Sequence, residues 1–438
     1  MSDDKVRSCK AGTFRGFEST GCIHFKGIRY AESERYCAPV PYIYPEGIHD
    51  CDTPCPYCIQ DEARIEGRLI GVYYEKYPQI ESCQFLSITI PADAGPDSKR
   101  PVMVWYHGGA YKNGGCENDV YDREPLVTEQ GVILVGVNYR LGVSGFVRDI
   151  DGGLSNNGLL DAIEGLRWVK DNIRAFGGDP ENITVFGQSA GADIVRCMLL
   201  SVCTDGLFSK AIMQSAPLGT LSGRGDMDRK ALEELDSYPE DIPVKELLDV
   251  QRSILAHVTE KGPAKEMVFG PHLGVHPLPK EEDIPKRLKE IASEHPLLIG
   301  SNTREVMAYV AGEERIERMY RIPILRQIIS RKERKQSQRI FIAPAREFAV
   351  RYAESGGTAY LYKFHWIEDT YAGACHGSEL PLLFGIKGFR EHRHLLGGID
   401  LEDVIETGVP MRKMWADFAR NGHIEDHSIE GVLDIERL

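Results

Sequence analysis

The chain has 438 residues, 42% hydrophobic and 27% charged, with 66 acidic against 52 basic side chains and a formal net charge of −14. That much apolar material excludes a disordered chain, and the acidity speaks against nucleic acid, whose phosphates call for a basic face. Apolar runs such as Val132–Val137 fall far short of the roughly 18 residues of a membrane helix, so no membrane span is expected. The opening Met1-Ser2-Asp3-Asp4-Lys5 has neither a basic nor an apolar leader segment, and the expected location is cytoplasmic, as monomer or homo-oligomer.

Residues 1–100 read as short strands and turns, with an extended run at Cys83–Pro91. Within them Cys51, Cys55 and Cys58 have a C-x3-C-x2-C spacing that also occurs where three thiolates hold an iron–sulfur cluster, or as part of a zinc site. The plainer expectation is a Pro-rich loop with incidental thiols and no cofactor; a metal- or cluster-binding protein is the alternative. Beyond residue 100, strands alternate with helices. Val102–Tyr106 and Gly131–Tyr139 read as strands, Leu159–Ile173 as a helix stopped by Gly177-Gly178-Asp179-Pro180, and Ile183–Phe186 as a third strand. His295–Ile299 and Thr358–Phe364 add two more. Such alternation predicts an α/β fold with a mostly parallel sheet covered on both faces.

No repeat or linker divides the chain, so residues 1–438 are expected to form one catalytic domain, with helical excursions over about 218–345. One of these follows Pro243, with Val244, Leu247, Leu248, Leu255 and Val258 as its apolar stripe. The charge run Arg331-Lys332-Glu333-Arg334-Lys335 reads as a solvated face.

Three loops carry chemistry. Gly187-Gln188-Ser189-Ala190-Gly191 lies between a strand and the helical run Asp193–Leu200, the setting of a nucleophile elbow. Small residues flank Ser189 because the turn is too tight for larger ones, and the Ala190 N–H faces the reacting carbonyl. Upstream, His107-Gly108-Gly109-Ala110-Tyr111 follows a strand, where small residues let backbone N–H groups approach an oxyanion. A serine needs a base, itself oriented by a carboxylate. His272, His276, His295, His365 and His376 all fall near expected strand ends after Ser189; His392 and His394 read as surface residues. Glu305 leads for the acid, with Glu379 the competitor, although Glu379 suits a structural ion pair and Arg304 could claim Glu305. Ser215 is a candidate for a supporting role.

Several stretches resemble the type B carboxylesterase and cholinesterase family of α/β-hydrolases: Phe25–Ala31, Asn138–Gly142, Asn157–Asp161, Phe176–Thr184, Gly300–Glu305, His376–Leu380 and Trp415–Ala419. The resemblance implies an α/β-hydrolase fold and a serine carboxylesterase acting on a small-molecule ester without a cofactor. It implies Ser189 as nucleophile, His376 as base and acid, Glu305 as orienting carboxylate, and an oxyanion hole from the N–H groups of Gly109, Ala110 and Ala190. It would place the family's first disulfide on Cys58 and Cys83, and whether that bridge forms stays open. Ala110 departs from the family's usual third glycine and Gln188 from its usual Glu. The family also includes adhesion proteins that lost the triad, so a catalytically silent recognition module is a further alternative.

Overall fold

Alternate residues of the strand Arg100–Tyr106 leave it on opposite faces: Val102, Val104 and Tyr106 enter one buried cluster, Met103 and Trp105 another. Strand side chains alternate with a period of two, so a strand with both faces apolar must lie in a sheet covered on both sides. The computed structural model describes residues 5–61, 77–221, 223–257, 267–311, 313–368, 370–389, 395–396 and 398–438. Val258, His392 and His394 lie outside the described residues.

Eleven of the described strands form one sheet: β1 Phe17–Ser19, β2 Cys22–Arg29, β3 Phe85–Pro91, β4 Arg100–Tyr106, β5 Ile133–Val137, β6 Gly178–Gln188, β7 Lys210–Gln214, β8 Leu297–Asn302, β9 Ala359–Phe364, β10 Ser428–Ile429 and β11 Leu433–Arg437. Their spatial order is β10-β11-β9-β8-β7-β6-β4-β5-β3-β2-β1. The run from β9 to β5 is parallel throughout, and antiparallel ribbons close both edges. The helices that position the site are α1 Asn157–Asn172, α2 Ala190–Leu200, α3 Gly225–Asp236, α4 Val244–His257, α5 Pro323–Ser337, α6 Ala343–Glu354 and α7 Leu401–Asn421. Helices α1, α2 and α6 pack into the cluster on one face, and α7 into the cluster on the other.

Most departures from the expected boundaries have a local cause. The strand expected at Gly131–Tyr139 shrinks to β5, because Gly131 takes a left-handed conformation (φ 63°) that caps the helix Glu124–Gln130. Asn138 and Tyr139 leave the ladder beyond it, and Asn138 accepts the Cys116 N–H at 2.7 Å. Gly177, also left-handed (φ 90°), ends the turn after α1, so β6 starts at Gly178 rather than Ile183. In α4 the buried face is Leu247, Val250, Gln251 and Ile254, while Val244 is exposed. The charge run is solvated except at Glu333, which turns inward to Arg304 at 3.5 Å.

Candidate active site

All the pieces of the site sit at the C-terminal ends of parallel strands. This is the edge where an open α/β sheet presents its loops. At the end of β6, Ser189 has φ 59° and ψ −122°, a strained conformation for a non-glycine residue. Its N–H donates to Gln214 O of the neighbouring strand at 2.8 Å. The flanking glycines are required by space: a Cβ on Gly191 would overlap Tyr106 O, and one on Gly187 would overlap the Gly191 backbone. Helix α2 starts at Ala190, so the Ala190 N–H has no acceptor within the helix.

The loop after β4 packs directly on this elbow. A Cβ on Gly108 would come within 2.8 Å of Gln188 O and 3.1 Å of Ser189 Cβ. Gly109, Ala110 and Tyr111 all have positive φ (112°, 53° and 59°), and the Lys112 and Asn113 N–H groups close the turn on Gly109 O at 3.0 Å. For Ala110 and Tyr111 that conformation is strained. The loop is held by Tyr111, whose buried hydroxyl donates to Asp193 of α2 at 2.7 Å. Asp193 also accepts from Arg196 Nε at 2.6 Å, which keeps this carboxylate paired. His107 stacks on Tyr139 with ring centroids 4.6 Å apart, and burial pushes its pKa down to about 4, so it is neutral.

Glu305 follows β8 and is fully buried. Its Oε1 accepts the Asn302 N–H at 2.7 Å, and its Oε2 lies 2.6 Å from His376 Nδ1. The His376 N–H donates to Glu305 O at 3.2 Å, so backbone and side chain both tie the loop after β9 to that after β8. With Nδ1 protonated toward the carboxylate, Nε2 is left as an acceptor. Gln188 Nε2 fills that position at 3.1 Å. Ser189 Oγ makes no hydrogen bond among the described residues. The rings of Phe341 and Tyr309 flank the imidazole, with centroids 5.0 and 6.2 Å away.

Of the five histidines, only His376 meets both a carboxylate and the elbow strand. His272 lies between Asp228 (3.1 Å) and Phe146 O (2.7 Å), His295 stacks on Phe208, and His365 faces Asp434 at 3.4 Å. His276 is joined to Pro277 by a cis peptide bond. Arg304 does not claim Glu305: it donates to Thr370 O at 3.0 Å and Tyr371 O at 3.3 Å, and it pairs with Glu333. Nor does Glu379 form the expected ion pair among the described residues. Its Oε2 accepts from Asn302 Nδ2 at 2.7 Å, and burial, reinforced by the Glu305 charge, pushes its pKa up to about 7. Asn302 thus bridges both carboxylates. Neither that bridge nor the Gln188 contact was foreseen from the residues, though the Glu-to-Gln departure at 188 marked the position. Ser215 follows Gln214, whose carbonyl accepts the Ser189 N–H, and takes a left-handed conformation (φ 53°) with its own N–H on Gly300 O at 2.9 Å.

The three clustered thiols diverge. Cys51 Sγ donates to His49 O at 3.6 Å, Cys55 Sγ lies 3.2 Å from Ser87 Oγ, and Cys58 Sγ accepts the Leu141 N–H at 3.2 Å. No three His, Cys, Asp or Glu side chains converge on a metal-holding position among the described residues. Cys58 and Cys83 are neighbouring free thiols, and burial pushes the Cys83 pKa well up.

A nucleophile elbow over a mostly parallel sheet, with a His–Glu pair on the next strand ends, defines an α/β-hydrolase. The model of the carboxylesterase family matches residues 3–339, and the chain belongs to that family. It is 34% identical over 424 residues to a probable N-octanoylanthranilate hydrolase of Rhodococcus erythropolis, covering 95% of this chain and 92% of that one. It is 29% identical over 455 residues to a para-nitrobenzyl esterase of Bacillus subtilis, covering 96% and 90%. Among solved structures, a thermophilic PNB esterase superposes with a TM-score of 0.81 at 26% identity, covering 99% and 98%. The protein is a carboxylic ester hydrolase.

Proposed function

We propose that the ester is cleaved through an acyl-enzyme on Ser189, with His376 as general base and acid and Glu305 orienting it. The single observation that carries this is the 2.6 Å contact of Glu305 Oε2 with His376 Nδ1, on strand ends adjoining the Ser189 elbow. The Gln188 amide yields His376 Nε2 to the Ser189 hydroxyl as substrate enters. Ser189 Oγ then attacks the carbonyl carbon while its proton passes to Nε2. The carbonyl oxygen becomes an oxyanion held by the N–H groups of Gly109, Ala110 and Ala190, and each such donor contributes about 2.7–4 kcal/mol in the transition state. His376 returns the proton to the leaving oxygen, then takes one from water as the acyl group departs. Glu305 keeps Nδ1 protonated and stabilises the imidazolium.

Ala110, with a methyl where a glycine would leave none, narrows the acyl side of this site. The name of the 34%-identical relative makes N-acyl compounds with a medium-length chain the second substrate class to try. The test is hydrolysis of a p-nitrophenyl ester series, from acetate to long acyl chains, by wild type and Ser189→Ala. A loss on the order of 10⁴-fold or more on every chain length is expected for a nucleophile. Equal turnover by the two proteins removes Ser189 from the mechanism. A folded wild type that turns over no ester in the series leaves a specialised substrate or the silent recognition module, and labelling of Ser189 by a fluorophosphonate separates the two.

A further inference from the structure

Between Arg318 and Arg339 the chain carries eight Lys and Arg residues and a single acid, Glu333, although the whole protein has a net charge of −14. All eight are exposed, while Glu333 is buried against Arg304. Arg321, Arg326, Arg331, Lys332, Lys335 and Arg339 take part in no ion pair among the described residues. Unpaired exposed cations at this density raise a local positive potential that attracts an anionic surface.

The same helix exposes apolar side chains. Ile324 is 63% exposed and Ile328 45%, and Ile322, just before α5, is 48% exposed. At 3.6 residues per turn, Ile324, Ile328, Arg331 and Lys335 stand one above another on a single ridge within about 60° of the helix axis view. The N-terminal half of that ridge is apolar and the C-terminal half cationic. The opposite face is occupied: the Ser337 hydroxyl accepts the Val306 N–H at 3.0 Å, and Glu333 holds Arg304. Helix α5 is therefore anchored behind the loop that carries Glu305, and among the described residues Arg331 and Lys335 on its outer ridge form no ion pair.

We infer that this outer face of α5 docks on an anionic lipid surface. The apolar residues enter the headgroup boundary, and the cations meet lipid phosphates, the pairing that holds amphipathic helices in an interface. The acidity elsewhere on the chain does not cancel the attraction, because at physiological salt charges are screened beyond about 8 Å. The π-helical turn Gln338–Ile342 directly follows α5 and carries Phe341 to His376. Docking thus brings the Glu305 loop to within one helix of the membrane surface, where apolar esters collect.

The test is co-sedimentation of the full chain, as Ser189→Ala so that no lipid is consumed, with vesicles of phosphatidylglycerol and phosphatidylcholine and with vesicles of phosphatidylcholine alone. Sedimentation velocity without vesicles runs in parallel. Binding to the anionic vesicles at physiological salt is expected, at least tenfold weaker on phosphatidylcholine alone and weaker again at high salt. Ile324→Ser with Ile328→Ser, and separately Arg331→Glu with Lys335→Glu, should each lower it about tenfold with unchanged circular dichroism. Absence of binding to anionic vesicles, or equal binding to both compositions, overturns the proposal. So does a concentration-dependent dimer abolished by the same substitutions, which assigns the face to a second copy.

Discussion

Gln188 Nε2 lies 3.1 Å from His376 Nε2, on the ring nitrogen opposite the one that faces Glu305. The imidazole is thereby held between an amide and a carboxylate, with Glu379 as the other nearby acid and the Phe341 and Tyr309 rings at its sides. A neutral group on Nε2 adds no second charge to the base.

Replacing that neutral group gives the first prediction. In Gln188→Glu a carboxylate faces Nε2 and favours the imidazolium, the form that cannot accept the serine proton. The acid limb of the kcat/KM profile should move to higher pH by about 1–3 units, the effect of an opposite charge within a few ångströms. A limb that stays in place means that residue 188 does not face the base.

Glu379 sets a pH dependence of stability. Its folded pKa, about 7, lies above the ordinary 4.5, so the folded state holds a proton that the unfolded state has released. The contribution is full below about pH 4.5 and is lost as pH rises through 7. Glu379→Gln keeps a neutral side chain at every pH. The Tm of the variant should therefore gain on that of wild type as pH rises from 5 to 8. Parallel Tm curves would show that Glu379 titrates normally.

Ala110 has φ 53°, where a Cβ costs about 1–2 kcal/mol. Ala110→Gly removes that strain but adds freedom to the unfolded chain. Urea unfolding should show a net gain of about 0.5–1 kcal/mol. The lost methyl should also raise turnover of long acyl esters relative to acetate. An unchanged chain-length profile would mean that Ala110 does not border the acyl group.

Tyr111 joins the oxyanion loop to α2 through its 2.7 Å bond to Asp193. In Tyr111→Phe the ring remains, and Asp193 keeps Arg196 but loses one donor. Stability should fall by about 1–3 kcal/mol for a bond to a buried charged group. Because the loop carries the Gly109 and Ala110 donors, kcat should fall about tenfold while KM holds. A rise in KM at constant kcat would place Tyr111 in substrate binding instead.

What could be read without coordinates follows the range of the interactions. The Ser189 elbow was legible because its constraint is local: a strand, a tight turn needing small residues at 187 and 191, and a helix, all in consecutive residues. The parallel sheet was legible for the same reason, although glycine caps at Gly131 and Gly177 moved strand ends by several residues. The base was less so. Five histidines stood near strand ends, and only the family resemblance separated His376 from the rest. Arg304 next to Glu305 invited an ion pair, yet its guanidinium is drawn to Glu333 and the carbonyls of Thr370 and Tyr371, which no local pattern reveals. The Cys51, Cys55 and Cys58 spacing looked like one site because spacing ignores where each sulfur points.

The central claim is that Ser189 is the nucleophile. Its most direct test is labelling of the wild type with a fluorophosphonate, followed by mass spectrometry of the digested protein alongside residual ester hydrolysis. One phosphonyl group on the peptide bearing Ser189, with activity lost in proportion and no label on Ser189→Ala, is the predicted result. Full hydrolysis by a fully labelled protein, or an adduct on another serine that accounts for the lost activity, would contradict it.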